Sequence, residues 1–180
     1  MTIAFTGYAV TSADGFIADR EGRMPEALRF DADWAYFQAA LDAADITLLG
    51  RRTHEAAPNV KERRRLVVSR AVRAVVRENA FTWRANPEDV APASAVAETG
   101  GSDAEVAVVG GTGVFDWILA EGGYHAFHLS LARGVWLGDG RPLFDGIADF
   151  EEALSKLGAE GLLVETRSWL DRKAGLELLI

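Results

Sequence analysis

The chain has 180 residues, 49% of them apolar, no cysteine and a formal net charge of −8. That length can bury one sizeable core and predicts one domain. The missing cysteines exclude disulfides, thiolate metal sites and a cysteine nucleophile and fit a reducing compartment, and the acidic balance has the wrong sign for a nucleic-acid binder. The opening MTIAFTGYAV carries neither a basic leader nor a long apolar run, so no signal peptide or membrane span is read, and a cytoplasmic protein is expected.

In chain order, IAFTGYAVTSADGF reads as an apolar strand and a loop bending at Asp14 and Gly15, and ADREGRMPEALRF is polar and loop-like. In DADWAYFQAALDAA, apolar residues recur at helical spacing, which predicts a helix with Asp31 as N-cap and a Trp34, Phe37 and Leu41 stripe in the core. ITLLG follows as a buried strand, RRTHEAA as a short helix ended near Pro58, and RLVVS as another strand. NPEDVAPASAVAE suggests a helix interrupted by proline, and EVAVVG is a strand leading through a tight glycine turn into the helix of GTGVFDWIL. HAFHLSLA is a further strand, and LLVETRSWL with GLELLI forms a terminal hairpin. Strands separated by helices predict an α/β sandwich with a mainly parallel sheet and an antiparallel tail, without internal repeat or linker.

The turn at Gly110, Gly111, Thr112 and Gly113 has two readings, a structural corner or an anion cradle. A dinucleotide G-x-G-x-x-G fails because Asp116 stands where the third glycine should be, and no Walker loop occurs. Glycines still let a backbone approach a ligand closely, and the helix start behind them offers free N–H groups. LLGRRTHEAAP repeats that logic, with Arg51, Arg52 and Thr53 opening a helix, and Ser69 and Arg70 end the next strand. In a parallel sheet these strand ends share one edge, so several anion donors point to a ligand with several phosphates. Between Arg51 and Arg77, nine cations face only Glu55 and Glu62, so the rest of the chain carries −15; the island is either a polyanion site or a solvated face. His125 and His128, three apart on a strand, point to opposite faces and cannot share one ion, so no metal is expected. Asp31 and Asp33 lack a third ligand, and no G-x-S-x-G elbow supports a hydrolase.

SADGFIA, LLGRRTHEA, RRRLVVSR, AVVGGTGVFDWIL and GDGRPLF, in that order and spacing, resemble the dihydrofolate-reductase-like superfamily, especially the branch with the riboflavin-biosynthesis reductase domain. The resemblance spans residues 3–180 and rests on the ordered set. It implies a three-layer α/β/α sandwich that binds NADPH across the sheet edge beside a pocket for a small heterocyclic substrate, a pterin or a pyrimidine such as 5-amino-6-(5-phosphoribosylamino)uracil. By it, Gly50, Arg51, Arg52, Thr53, Ser69 and Arg70 hold the adenosine phosphates, and Gly110, Gly111, Thr112, Gly113 and Val114 pack against the pyrophosphate and ribose. Val10 and Ile17 meet the nicotinamide carboxamide, Asp33 is the acidic residue that meets the substrate, and Ser130 is a hydroxyl near it. Asp33 also has a plainer reading, as a first-turn carboxylate complementing the helix dipole. The resemblance further implies a homodimer. The chain departs from the riboflavin branch, with Tyr8 in place of a lysine and no W-I-T or A-D-D-P segment, and it lacks the tryptophan-proline entry of dihydrofolate reductases. The expected activity is reduction by NADPH; the alternative is a nucleotide-binding module without catalysis.

Overall fold

The structure is a computed structural model and describes residues 2–180. Its strands are β1 (Ile3–Ser12), β2 (Phe16–Ala18), β3 (Ile46–Gly50), β4 (Arg65–Val68), β5 (Val76–Arg77), β6 (Thr82–Ala85), β7 (Ala104–Val108), β8 (Ala126–Ala132), β9 (Arg141–Pro142), β10 (Arg167–Asp171) and β11 (Leu176–Leu179). Its α-helices are α1 (Asp31–Ala43), α2 (Arg51–Ala56), α3 (Pro92–Glu98), α4 (Thr112–Ala120) and α5 (Phe150–Ala159). Nine strands form one sheet in the order β10-β11-β8-β1-β7-β3-β4-β6-β5, and β2 pairs with β9 in a small second sheet. The six strands from β8 to β6 in that order run parallel, while β11, β10 and β5 are antiparallel to their neighbours. This is the expected α/β architecture, with its parallel centre and antiparallel tail.

Strand alternation divides the sheet into two unlike faces. On one, Phe5, Ala9, Ile46, Leu48, Leu66, Val106, Val108, Phe127 and Leu129 pack with α3, α4 and α5 into the main core. Both faces of the central strands are covered, which is why ITLLG reads as an unbroken apolar run. Gly7 of β1 is required on the core face, because a Cβ there would lie 2.3 Å from the Phe127 ring. The other face carries Thr6, Tyr8 and Val10 of β1 in register with Ala107 of β7 and His128 and Ser130 of β8. α1 and α2 cover this face, where Val10, Leu28, Ala132 and Leu176 form a second, smaller buried cluster.

Three local expectations are corrected. Phe30, not Asp31, is the N-cap of α1; Asp31 is already the first helical residue, where its charge favours the dipole without a capping bond. Trp34 is not core but 61% exposed, because its side of α1 overlooks a cleft instead of the packed sheet. Ser130 of β8 is buried, because β11 pairs outside β8 with Leu178 in register and leaves it 2% exposed. The proline of NPEDVAPASAVAE starts α3 rather than interrupting it, since the first helical position needs no N–H donor. Elements not read from the sequence are α5, the short strands β5, β6 and β9, and β2.

Candidate functional site

The open face holds a cleft of about 1140 Å³. Its floor is β1, β8, β3 and β4, its walls are α1 and α2, and the loop before α1 and the turn at residues 109–111 close its ends. Parallel α/β sheets place ligand sites outside the carboxyl ends of their strands, and the glycine turn stands at that edge. Val109 N donates to Leu48 O at 2.9 Å and Gly50 N to Gly110 O at 2.8 Å, so the ends of β3 and β7 are bonded together. Gly110 has a φ of +99°, a conformation in which a side chain is strained. A Cβ on Gly111 or Gly113 would meet nothing within 4 Å, so open space lies above both. The amides of Gly111, Thr112 and Gly113 donate to no backbone carbonyl among the described residues, as expected at the start of a helix.

Two other sequence motifs frame this edge. The Asp14 carboxylate accepts the amides of Leu137 at 3.1 Å and Gly138 at 2.7 Å, which docks the GDGRPLF loop on the SADGF loop. Thr112 then donates its hydroxyl to Pro142 O at 2.5 Å, tying the start of α4 to β9.

A polar cluster lies at the β1–β8 side of the cleft. α1 carries Asp33 and Tyr36 one turn apart on the same side, above Tyr8, His128 and Ser130. The Tyr36 hydroxyl bonds His128 Nδ1, and the Tyr8 ring stands 4.8 Å from the imidazole. Burial lowers the His128 pKa, so the ring is neutral around pH 7; with Tyr36 donating, Nδ1 accepts and Nε2 keeps the proton. Burial raises the Asp33 carboxyl pKa, against a side-chain hydrogen bond with Ser130 that lowers it. Tyr36 is pushed up by burial and then by the nearby Tyr8 and Asp33, and Tyr8 by burial and then by Glu105. Hydroxyl and imidazole groups thus stand beside one carboxyl whose pKa burial moves upward.

The structure brings Val10, Ile17, Asp33, Arg52, Thr53, Gly110, Gly111 and Ser130 to one cleft. Arg52 reaches across it to donate to Glu21 O at 3.0 Å. Gly50 abuts Gly110 behind the turn, and Thr112, Gly113 and Val114 form the first turn of α4. Arg51, Ser69 and Arg70 stand outside the cleft lining: Arg51 pairs with Glu55 at 2.9 Å and Arg70 with Glu88 at 2.8 Å, while Ser69 Oγ accepts the Ala71 amide. Much of the basic island is neutralised across space, since Lys61 and Arg63 both pair with Asp42. Tyr8, Tyr36 and His128 were not read as site residues, for the cluster joins three separate segments and no spacing reveals it. Among the described residues no group of three or more metal-ligating side chains could hold an ion, and no helix is long and apolar enough to cross a membrane.

No family model matches the chain, and no curated protein matches it. Among solved structures it is similar to one from Shewanella sp. PV-4, a protein provisionally named for riboflavin biosynthesis, with a TM-score of 0.63 and 19% identity over 98% of this chain and 96% of that one. That likeness is one of fold, and with the sheet order and the helices on both faces it shows the expected three-layer α/β/α sandwich, consistent with the dihydrofolate-reductase-like fold the ordered motifs resemble.

Proposed function

We propose that the chain is an NADPH-dependent reductase of a small heterocyclic molecule. One observation carries this reading: a single cleft joins free helix-start amides under an open glycine turn to a half-buried carboxyl with a raised pKa. The open space over Gly111 and Gly113 fits a pyrophosphate, with Arg52 and Thr53 on the facing helix start. The likeness to a protein named for riboflavin biosynthesis supports the same class. NADPH supplies the hydride when bound. Val10 and Ile17 hold the wall beside the ring that gives it, and Asp33 holds a proton at its carboxyl oxygen for the ring that receives it. Ser130 orients that carboxyl, while α1 and the apolar wall of Leu28, Phe30 and Phe37 exclude water. The neutral Tyr36 and His128 pair offers hydrogen bonds of fixed direction to a heterocycle edge.

The test is a calorimetric titration with NADPH and with NADH, on the wild-type protein and on Arg52→Ala. The reading expects NADPH to bind at least tenfold more tightly than NADH and Arg52→Ala to lose most of that difference. Absence of binding by either nucleotide contradicts it. Asp33→Asn then separates an enzyme from a nucleotide-binding module: NADPH affinity is retained, while single-turnover oxidation of the cofactor by an accepted heterocycle falls about 100-fold or more, the usual weight of a positioned acid.

A further inference from the structure

The floor of the cleft contains a cation with no acid opposite it. Arg65 opens β4 in register with Thr47 of β3, lines the cleft and is 8% exposed. Its Nη1 donates to Ala57 O at 2.7 Å and stands 3.3 Å from His54 Nδ1. Its Nε is buried without any hydrogen-bond partner, and Nη2 makes no hydrogen bond among the described residues. Among the described residues no carboxylate lies within ion-pair distance; the charge nearest in effect is another guanidinium, that of Arg63, which is itself bonded to Asp42 and Gln38. A guanidinium does not give up its proton in a protein, so a buried one without an anion keeps an uncompensated charge at real cost.

The geometry supplies more than the charge. Anchoring Nη1 to the end of α2 fixes the plane of the guanidinium and leaves its Nε and Nη2 edge, the pair of parallel donors that carboxylates and phosphates accept in bidentate fashion. Thr47, buried on the neighbouring strand and lining the same cleft, has a hydroxyl without a hydrogen bond among the described residues. Arg65 stands at the first residue of β4, the opposite end of that strand from Ser69 and the glycine-turn edge. Its position therefore suits a second anionic group rather than the cofactor's phosphates.

We propose that Arg65, with Thr47 beside it, is an oxyanion site in the cleft floor that takes the carboxylate or phosphate of the molecule bound there; this rests on reading the cleft as a small-molecule site. The test uses protein labelled at arginine Nε, free of nucleotide, titrated with benzoate and separately with inorganic phosphate. The expected result is a saturable shift of the Arg65 Nε–H resonance, identified by its loss in Arg65→Lys, while Arg84, already paired with Glu78, stays still. Thr47→Val weakens the binding several-fold. A shift with benzoate alone assigns a carboxylate, and one with phosphate alone assigns a phosphoryl group. If neither anion moves Arg65, the oxyanion site is overturned. NADPH added to the same sample then separates the two ideas, because bound nucleotide with an unmoved Arg65 leaves the reductase reading standing and failure of both removes it as well. Should Arg65→Lys fail to fold, His54→Ala identifies the resonance through its contact with Nη1.

Discussion

On one side of β1, Phe5, Gly7 and Ala9 meet Val106, Phe127 and Leu129 in a closed apolar layer; on the other, Thr6, Tyr8 and Val10 meet Ala107, His128 and Ser130 under a cleft. The same strands make both faces, and only the parity of the residue number decides which one a side chain joins. The closed face has its three large rings in mutual contact, with Phe115 5.6 Å from Phe127 and 6.3 Å from Phe144. The open face leaves the Arg65 Nε without a partner in the cleft floor. On the proposed reading stability and binding are separated by face, and substitutions should separate them too.

The largest expected effect lies on the closed face. Phe115→Ala removes a ring that is 1% exposed and leaves a cavity between two others, so it should cost about 3–5 kcal/mol in denaturant unfolding. Gly7→Ala drives a methyl group into Phe127 within a strand flanked on both sides, at about 1–3 kcal/mol. Gly111→Ala sharpens the comparison from the other direction. Its Cβ meets nothing, so stability should fall by less than about 1 kcal/mol, while NADPH affinity drops at least tenfold.

On the open face, Asp33→Asn should raise the melting temperature near neutral pH. The folded-state pKa of Asp33 is raised, so the stability linked to its proton is complete below the ordinary carboxylate pKa and is lost as pH rises through the folded value. Removing the charge thus helps at pH 7, and the gain should vanish on acidification below the ordinary Asp value; a gain independent of pH would sink the assignment. His128 has the opposite sign. Its folded pKa is lowered, so its contribution is present above the ordinary imidazole value and is lost as pH falls through the folded one. An imidazole Cε1–H titration should place its midpoint below that of a free histidine. The smallest effect is at the rim: Arg70→Ala breaks an exposed pair with Glu88 and should cost about 1 kcal/mol or less.

The closed face was largely legible in the sequence and the open face was not. ITLLG, the glycine turn and the terminal hairpin announce themselves because apolar runs and turn residues are local signals. α5 had such a signal too, in Asp149 accepting the Glu152 amide while Glu152 reaches back to Ala148. β5 and β9, two residues each, carry too little pattern to read. The Trp34, Phe37 and Leu41 stripe misled for a physical reason: an apolar wall of a cleft has the same periodicity as a core helix, and only Leu41 of the three is fully buried. Arg63, Arg64 and Arg65 look equivalent in sequence, yet strand phase and depth leave Arg64 exposed and bury Arg65 in the cleft floor. Asp33 and Ser130 were named in advance through the resemblance, whereas Tyr36 meets His128 across 92 positions of chain, beyond the reach of any spacing rule.

The most direct test of the division between faces is a methyl NMR titration with NADPH. Val10, Leu28 and Leu49 line the cleft, and Leu48, Leu66 and Leu129 belong to the closed core. The account expects saturable shifts in the first set, with the second set unmoved. Shifts centred on the closed set, or none in either, would contradict the claim that the open face is the working side of this protein.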